Sequence, residues 1–184
     1  MYKIIITAFE SFNNRAVNQS QRILNALSLS SHQVDVLLPV LFEHSFRKLE
    51  ERVAQHEPHI IIALGEGPQP IPQVEHFAVN MMHGRIPDNS GYQPELTKIS
   101  KTGSTTLTGT INFEKLAQYL TKKGVLFHHS FHAGTYVCND LYYRMLDAKL
   151  AKNIVFVHVS HDEQHFPKNL ATIQCLLSYF SELE

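Results

Sequence analysis

Ile4-Ile5-Ile6-Thr7-Ala8-Phe9 is an unbroken, β-branched apolar run, the pattern of a strand covered on both faces. Ile60-Ile61-Ile62-Ala63-Leu64-Gly65 repeats it and ends in a loop rich in Gly and Pro, and Ile154-Val155-Phe156-Val157-His158-Val159 gives a third example near the other end of the chain. Between the first two, Asn18 can cap a helix carrying Ile23 and Leu27, residues 34–40 read as a strand, and Phe42, Phe46, Leu49 and Val53 lay one apolar stripe on a helix. The order there is β, α, β, α, β. Farther on, residues 74–80 alternate with Glu75, Phe77 and Val79 on one face, and residues 85–91 form a turn-rich loop. A helix through Phe113, Leu116, Ala117 and Leu120 stops at Gly124. A strand at 126–131, a helix at 139–150, a strand at 154–159 and a last helix around Leu170, Ile173, Leu177 and Phe180 complete the pattern. Strands alternating with helices at this spacing predict a three-layer α/β/α sandwich on a mostly parallel sheet, one domain over residues 1–184, with its ligand site at the carboxyl ends of the strands.

Composition narrows the function classes. The 184 residues are 43% hydrophobic and 18% charged, enough to bury a full core and too apolar for disorder. Sixteen Lys and Arg against seventeen Asp and Glu give a net charge of -1 without a basic run, so nucleic acid is not an expected partner. No apolar stretch approaches the ~20 residues of a membrane span, and MYKIIITAFE turns acidic too soon for a signal peptide, so the expected compartment is the cytoplasm. Cys138 and Cys175 are too few for a disulfide framework and read as thiols.

Of the two, Cys138 stands where a helix begins, after Ala133-Gly134-Thr135-Tyr136-Val137. A helix N-terminus favours thiolate, through its dipole and its free N–H groups. Cys175 lies inside the last helix and suits the plainer role of a small buried side chain. His158 closes its strand at the sheet end where a catalytic group could meet a neighbouring loop, and Glu75, a carboxylate on an apolar face, needs a partner such as a histidine. Cys138 as nucleophile, His158 as base and Glu75 as the group orienting the imidazole would satisfy triad logic.

Thr7-Ala8-Phe9-Glu10-Ser11-Phe12 with Asn18 and Ser20, Leu38-Pro39-Val40, Val74-Glu75-His76-Phe77-Ala78-Val79-Asn80, Arg85-Ile86-Pro87-Asp88-Asn89, Ala133-Gly134-Thr135-Tyr136-Val137-Cys138-Asn139 and Phe156-Val157-His158-Val159 follow one another along the chain. In this order they resemble the pyroglutamyl peptidase type I family of cysteine peptidases, and the resemblance covers nearly the whole chain. It implies removal of an N-terminal 5-oxoproline residue from peptides through a thioester on Cys138, with His158 as base, Glu75 completing the triad and no cofactor or metal. It further implies that Phe9 and Phe12 sandwich the lactam ring, that Glu66, Tyr136 and Val137 line its pocket, and that Arg85 holds the oxyanion with support from Asp88 and Asn18. A tetramer is the assembly the family suggests. The chain departs from the family pattern where Asn13-Asn14 replaces a Gly-Gly pair, where Gly65-Glu66 replaces Gly-Gln in a shorter loop, and where Ser160 follows His158-Val159 in place of Pro.

Two other classes compete. His158, His161 and His165 with Asp162 or Glu163 could ligate zinc if the segment is helical, although Pro167 argues for a loop. A relative that keeps the fold but only binds a peptide or small amide is the other alternative.

Overall fold

The computed structural model describes residues 2–183. Its elements, in chain order, are β1 (Ile4–Phe9), α1 (Gln19–Ala26), β2 (Gln33–Leu38), α2 (His44–His56), β3 (Ile60–Gly67), β4 (Gln73–Glu75), β5 (Phe77–Val79), β6 (Thr106–Thr108), α3 (Phe113–Lys122), β7 (His128–Ser130), α4 (Val137–Asp147), β8 (Asn153–Ser160) and α5 (Phe166–Ser181). Six strands form one sheet in the order β2-β1-β3-β8-β4-β7. The first four run parallel, and β4 enters antiparallel to β8. This is the expected mostly parallel α/β/α sandwich. No helix among the described residues is long and apolar enough to cross a membrane.

Alternation along the central strands fills two cores. Ile5, Phe9, Ile61, Ala63 and Phe156 meet Phe46 and Leu49 of α2 and Leu141 and Met145 of α4 on one face. Ile4, Ile6, Ile62, Leu64, Val155 and Val157 meet Ile23 of α1, Leu120 of α3 and Ile173 of α5 on the other. Each of these side chains larger than Ala63 contributes about 1.5–3 kcal/mol by leaving water, and each position is thereby tied to one face. Gly65 and His158 fall on the α2–α4 face, because they lie two residues beyond Ala63 and Phe156 on β3 and β8.

The expected single strand over 74–80 is instead two. At His76 the chain leaves the main sheet: its N–H donates to Ser130 O at 2.7 Å, its carbonyl accepts from Gly109 N at 2.9 Å, and its ring stacks on Phe113 at 3.9 Å. Glu75 therefore belongs to β4 in the main sheet, whereas Phe77 and Val79 belong to β5, which pairs with β6 in a two-stranded sheet. The strand expected at 126–131 is only the three-residue edge strand β7, and β2 stops at Leu38, before Pro39, which has no N–H for a ladder. Helix α4 begins at Val137, two residues earlier than its apolar pattern suggests, which puts Cys138 inside its first turn.

Candidate active site

Strand register assembles the centre of the site. Gly65 of β3 and Gln73 of β4 are the direct partners of His158 on its two sides, and Glu75 lies two residues beyond Gln73 on the same face. From that diagonal position Glu75 Oε1 reaches His158 Nδ1 at 2.7 Å. Glu75 is 1% exposed, and its second oxygen has no hydrogen-bond partner among the described residues. A carboxylate held so dry stabilises a positive imidazole strongly.

Cys138 arrives from above the sheet. A Cβ added to Gly65 would stand 2.8 Å from the Cys138 sulfur and 3.0 Å from the Phe156 ring, so only glycine leaves room for the thiol at the end of β3. Asn139, fully buried, fixes the height of the helix: its Oδ1 accepts from Val79 N at 2.9 Å and its Nδ2 donates to the carbonyls of Val79 and Met81 at 2.9 and 3.0 Å. Asp140 ties the same turn to α2 by accepting from Glu43 N at 2.7 Å. No side chain caps α4 at Tyr136, so the first-turn N–H groups remain available to negative charge on or near the sulfur.

Electrostatics follow from this packing. Burial opposes a charge on the His158 ring, but hydrogen bonding and charge attraction from Cys138 and Glu75 outweigh it and push the imidazole pKa up to about 10. The arrangement favours imidazolium, set between the Cys138 sulfur and the Glu75 carboxyl group. Cys175 has no such surroundings. It is half-buried within α5, and burial pushes its thiol pKa up.

A cleft of about 270 Å3 opens beside the sulfur. Cys138, His158, Glu75, Phe9, Phe12, Glu66, Tyr136, Val137, Asn18 and Arg85 all line it, as do Gln73 and His132, which sequence reasoning did not single out. Nothing in the local pattern around Gln73 marks it, since its place opposite His158 is set by the antiparallel register alone. Phe9 ends β1 and is buried, and Phe12 lies across from the Tyr136 ring at 6.3 Å. Arg85 is exposed, at the cleft but outside any ion pair with Asp88.

Asp88 does not line the cleft. It accepts from the backbone N–H groups of Phe42, Ser90 and Tyr92 at 2.9–3.1 Å and from Ser90 Oγ at 2.6 Å; against the cost of burial, those donors hold its carboxyl below its usual range. Its role is to shape the loop whose Pro87 carbonyl accepts from Tyr136 Oη at 2.8 Å. Asn18 likewise supports the chain: its Oδ1 accepts from Ser20 N and Ser20 Oγ, and its Nδ2 donates to Glu10 O. Glu66 turns its side chain to the opposite face of β3 from Gly65, where it pairs with Arg15. The histidines that could have formed a zinc site are dispersed. His158 faces Glu75, His165 Nδ1 contacts Ser160 Oγ at 3.3 Å, and among the described residues no three His, Cys, Asp or Glu side chains gather as a metal site.

Comparison with known proteins agrees with this geometry. A model of the pyroglutamyl peptidase family matches residues 2–168. Pyrrolidone-carboxylate peptidase 1 of Photorhabdus laumondii is 36% identical over 151 residues, covering 79% of this chain and 69% of that protein. The pyrrolidone-carboxylate peptidase of Bacillus velezensis is 32% identical over 150 residues, covering 79% of this chain and 70% of its own. In three dimensions the crystal structure of pyroglutamyl peptidase I from Bacillus amyloliquefaciens matches with a TM-score of 0.88 at 25% identity, over 95% of this chain and 94% of that one. By fold, by segment and by sequence, this chain belongs to the pyroglutamyl peptidase family.

Proposed function

We propose that this protein is a cysteine exopeptidase that removes an N-terminal pyroglutamyl residue from peptides through a thioester on Cys138. The observation that carries this reading is the imidazole of His158 held between Cys138 and buried Glu75, beside a cleft walled by Phe9 and Phe12. The Cys138 thiolate attacks the carbonyl carbon that joins the pyroglutamyl residue to the next one. Charge moving onto that oxygen is met by the free N–H groups that begin α4, with Arg85 at the cleft. His158 gives its Nε2 proton to the departing amine, so the C–N bond breaks and the thioester remains. Water then loses a proton to the same nitrogen and attacks the thioester, which frees pyroglutamate and returns the thiolate–imidazolium pair. Glu75 keeps the Nδ1 proton in place throughout.

The substrate preference follows from charge. A lactam ring is neutral and flat, and apolar walls suit it. Among the described residues, the carboxylates that line the cleft are Glu75, which is engaged with His158, and Glu66, whose side chain turns away to Arg15, so an incoming ammonium group meets no free anion. Desolvating it there costs several kcal/mol, which corresponds to discrimination of about a thousandfold. Both thiols are free, in keeping with a reducing cytoplasmic setting.

Hydrolysis of a chromogenic pyroglutamyl amide tests the reading, alongside the same peptide beginning with pyroglutamate or with uncyclised Gln. Turnover of pyroglutamyl substrates alone, lost on thiol alkylation and kept in a chelator, is expected. Comparable kcat/KM for the two peptides would reject the assignment, and loss to the chelator alone would return the zinc alternative.

A further inference from the structure

The segment between β1 and α1 brings Phe12 to the cleft as one end of a tight turn. Arg15 N donates to Phe12 O at 3.1 Å, and the two residues between them, Asn13 and Asn14, have φ of 52° and 57°. Two left-handed central residues closed by that bond make a type I′ turn, and Asn is among the few side chains that enter this conformation readily. The Asn-Asn pair thus keeps a shape that Gly-Gly would also allow. Phe12 and Arg15 are its two ends, so the anchoring of Arg15 bears on the placement of Phe12.

What holds Arg15 is Glu66. Arg15 Nη1 lies 3.3 and 3.4 Å from the two carboxylate oxygens, with the Arg15 side chain 40% exposed and that of Glu66 only 3%. Glu66 is itself fixed: it follows Gly65, the residue beneath the sulfur, and its side chain is buried at the end of β3. Burial raises the Glu66 pKa, and the Gln19 N–H, Arg15 and His161 act against that. The segment has further ties: Asn18 Nδ2 to Glu10 O at 3.0 Å and Asn89 Nδ2 to Ser11 O at 2.9 Å fasten its base, Ser11 Oγ donates to Ala16 O at 3.3 Å across the turn, and the Phe12 ring packs against the core near Tyr136; Arg15–Glu66 is the ion pair that joins the turn to β3.

We propose that Arg15 and Glu66 form a positioning latch that fastens the Phe12 wall of the pocket to the end of β3 and thereby sets affinity for the pyroglutamyl group. The proposal rests on the pyroglutamyl reading above for its substrate, and on the ion pair and turn for its mechanics. Neither residue touches the reacting atoms. The latch therefore acts on KM and leaves the chemical step to Cys138 and His158.

The test compares Arg15→Gln, Glu66→Gln and the double variant by steady-state kinetics on a pyroglutamyl amide and by amide hydrogen exchange over residues 11–17. Arg15→Gln should raise KM about tenfold with kcat changed less than about threefold, because it strands a buried carboxylate and frees the turn. Glu66→Gln should be milder, since it leaves no buried charge unpaired and Arg15 can turn to water. The double variant should resemble Glu66→Gln and bind better than Arg15→Gln, a coupling that independent residues would not give. Arg15→Lys should recover part of the affinity. Exchange over residues 11–17 should quicken about tenfold in Arg15→Gln. Unchanged KM and exchange in Arg15→Gln, or single effects that simply multiply in the double variant, would overturn the latch. A wild-type protein without turnover would overturn the proposed function instead, and the exchange series would then decide the latch alone.

Discussion

The two cysteines of this chain sit on helices at opposite faces of the sheet and in opposite chemical circumstances. Both are free, both are half-buried, and both belong to helices. Cys138 occupies the first turn of α4, over a glycine that gives its sulfur room, beside an imidazole that a buried carboxylate keeps charged. Cys175 lies in the second half of α5, packed against the other core, where burial raises its pKa and Lys123 only partly offsets this. Exposure alone would rank the two alike. What separates them is the direction of the local field and a proton donor held at fixed geometry.

The largest way to break the contrast is to remove that donor. His158→Gln should lower kcat about a thousandfold or more while the fold persists, and should bring alkylation of Cys138 down toward that of Cys175. Near wild-type kcat in that variant would discard the triad. Glu75→Gln should be milder, because an amide keeps the contact but not the charge.

Gly65→Ala attacks the same end without touching a titrating group. Its methyl would meet the sulfur and the Phe156 ring, so the thiol must move off the imidazole, and kcat should fall about a hundredfold with thermal stability lowered. If alanine were accepted with full activity, the sulfur would not be seated on β3 as described.

The pH dependence of alkylation sharpens the comparison at a smaller scale. Below its raised pKa, Cys175 should react about tenfold faster per pH unit, in step with its thiolate fraction. Cys138 should react faster than Cys175 at every pH from 6 to 9, because His158 holds its proton up to about pH 10 and stays beside the sulfur as a cation. Equal rates for the two thiols would remove the distinction. Least affected of all should be Cys175→Ala, with kcat/KM within about twofold of wild type, since it makes only a local change in the distant core.

Much of this architecture is legible in the residues because it is set locally. The runs at Ile4, Ile60 and Ile154 are strands covered on both faces, and no exposed strand would use them. Cys138 is legible from the helix that starts around it. What the chain conceals are the decisions made across long separations. The break at His76 depends on Ser130, Gly109 and Phe113, so a clean alternation over 74–80 reads as one strand where there are two. Gln73 owes its place to antiparallel register. Glu66 looks like an intruding carboxylate in the sequence, and only the strand's two-residue period and Arg15 explain why it faces away from the sulfur. Asn139 is part of a recognised motif, yet its hold on β5 is a tertiary fact.

The position of β8 governs the order in which the molecule can be built. That strand, residues 153–160, lies between β3 and β4, so until it is synthesised β3 keeps a bare apolar edge and the β4–β7 pair has nothing to join. A nascent chain that has already released β1 to α4 from the ribosome therefore carries Cys138 without its base and a sticky strand without its neighbour. The base of the site thus arrives with the same strand that closes the sheet, and until it does the unpaired edge of β3 is open to mispairing.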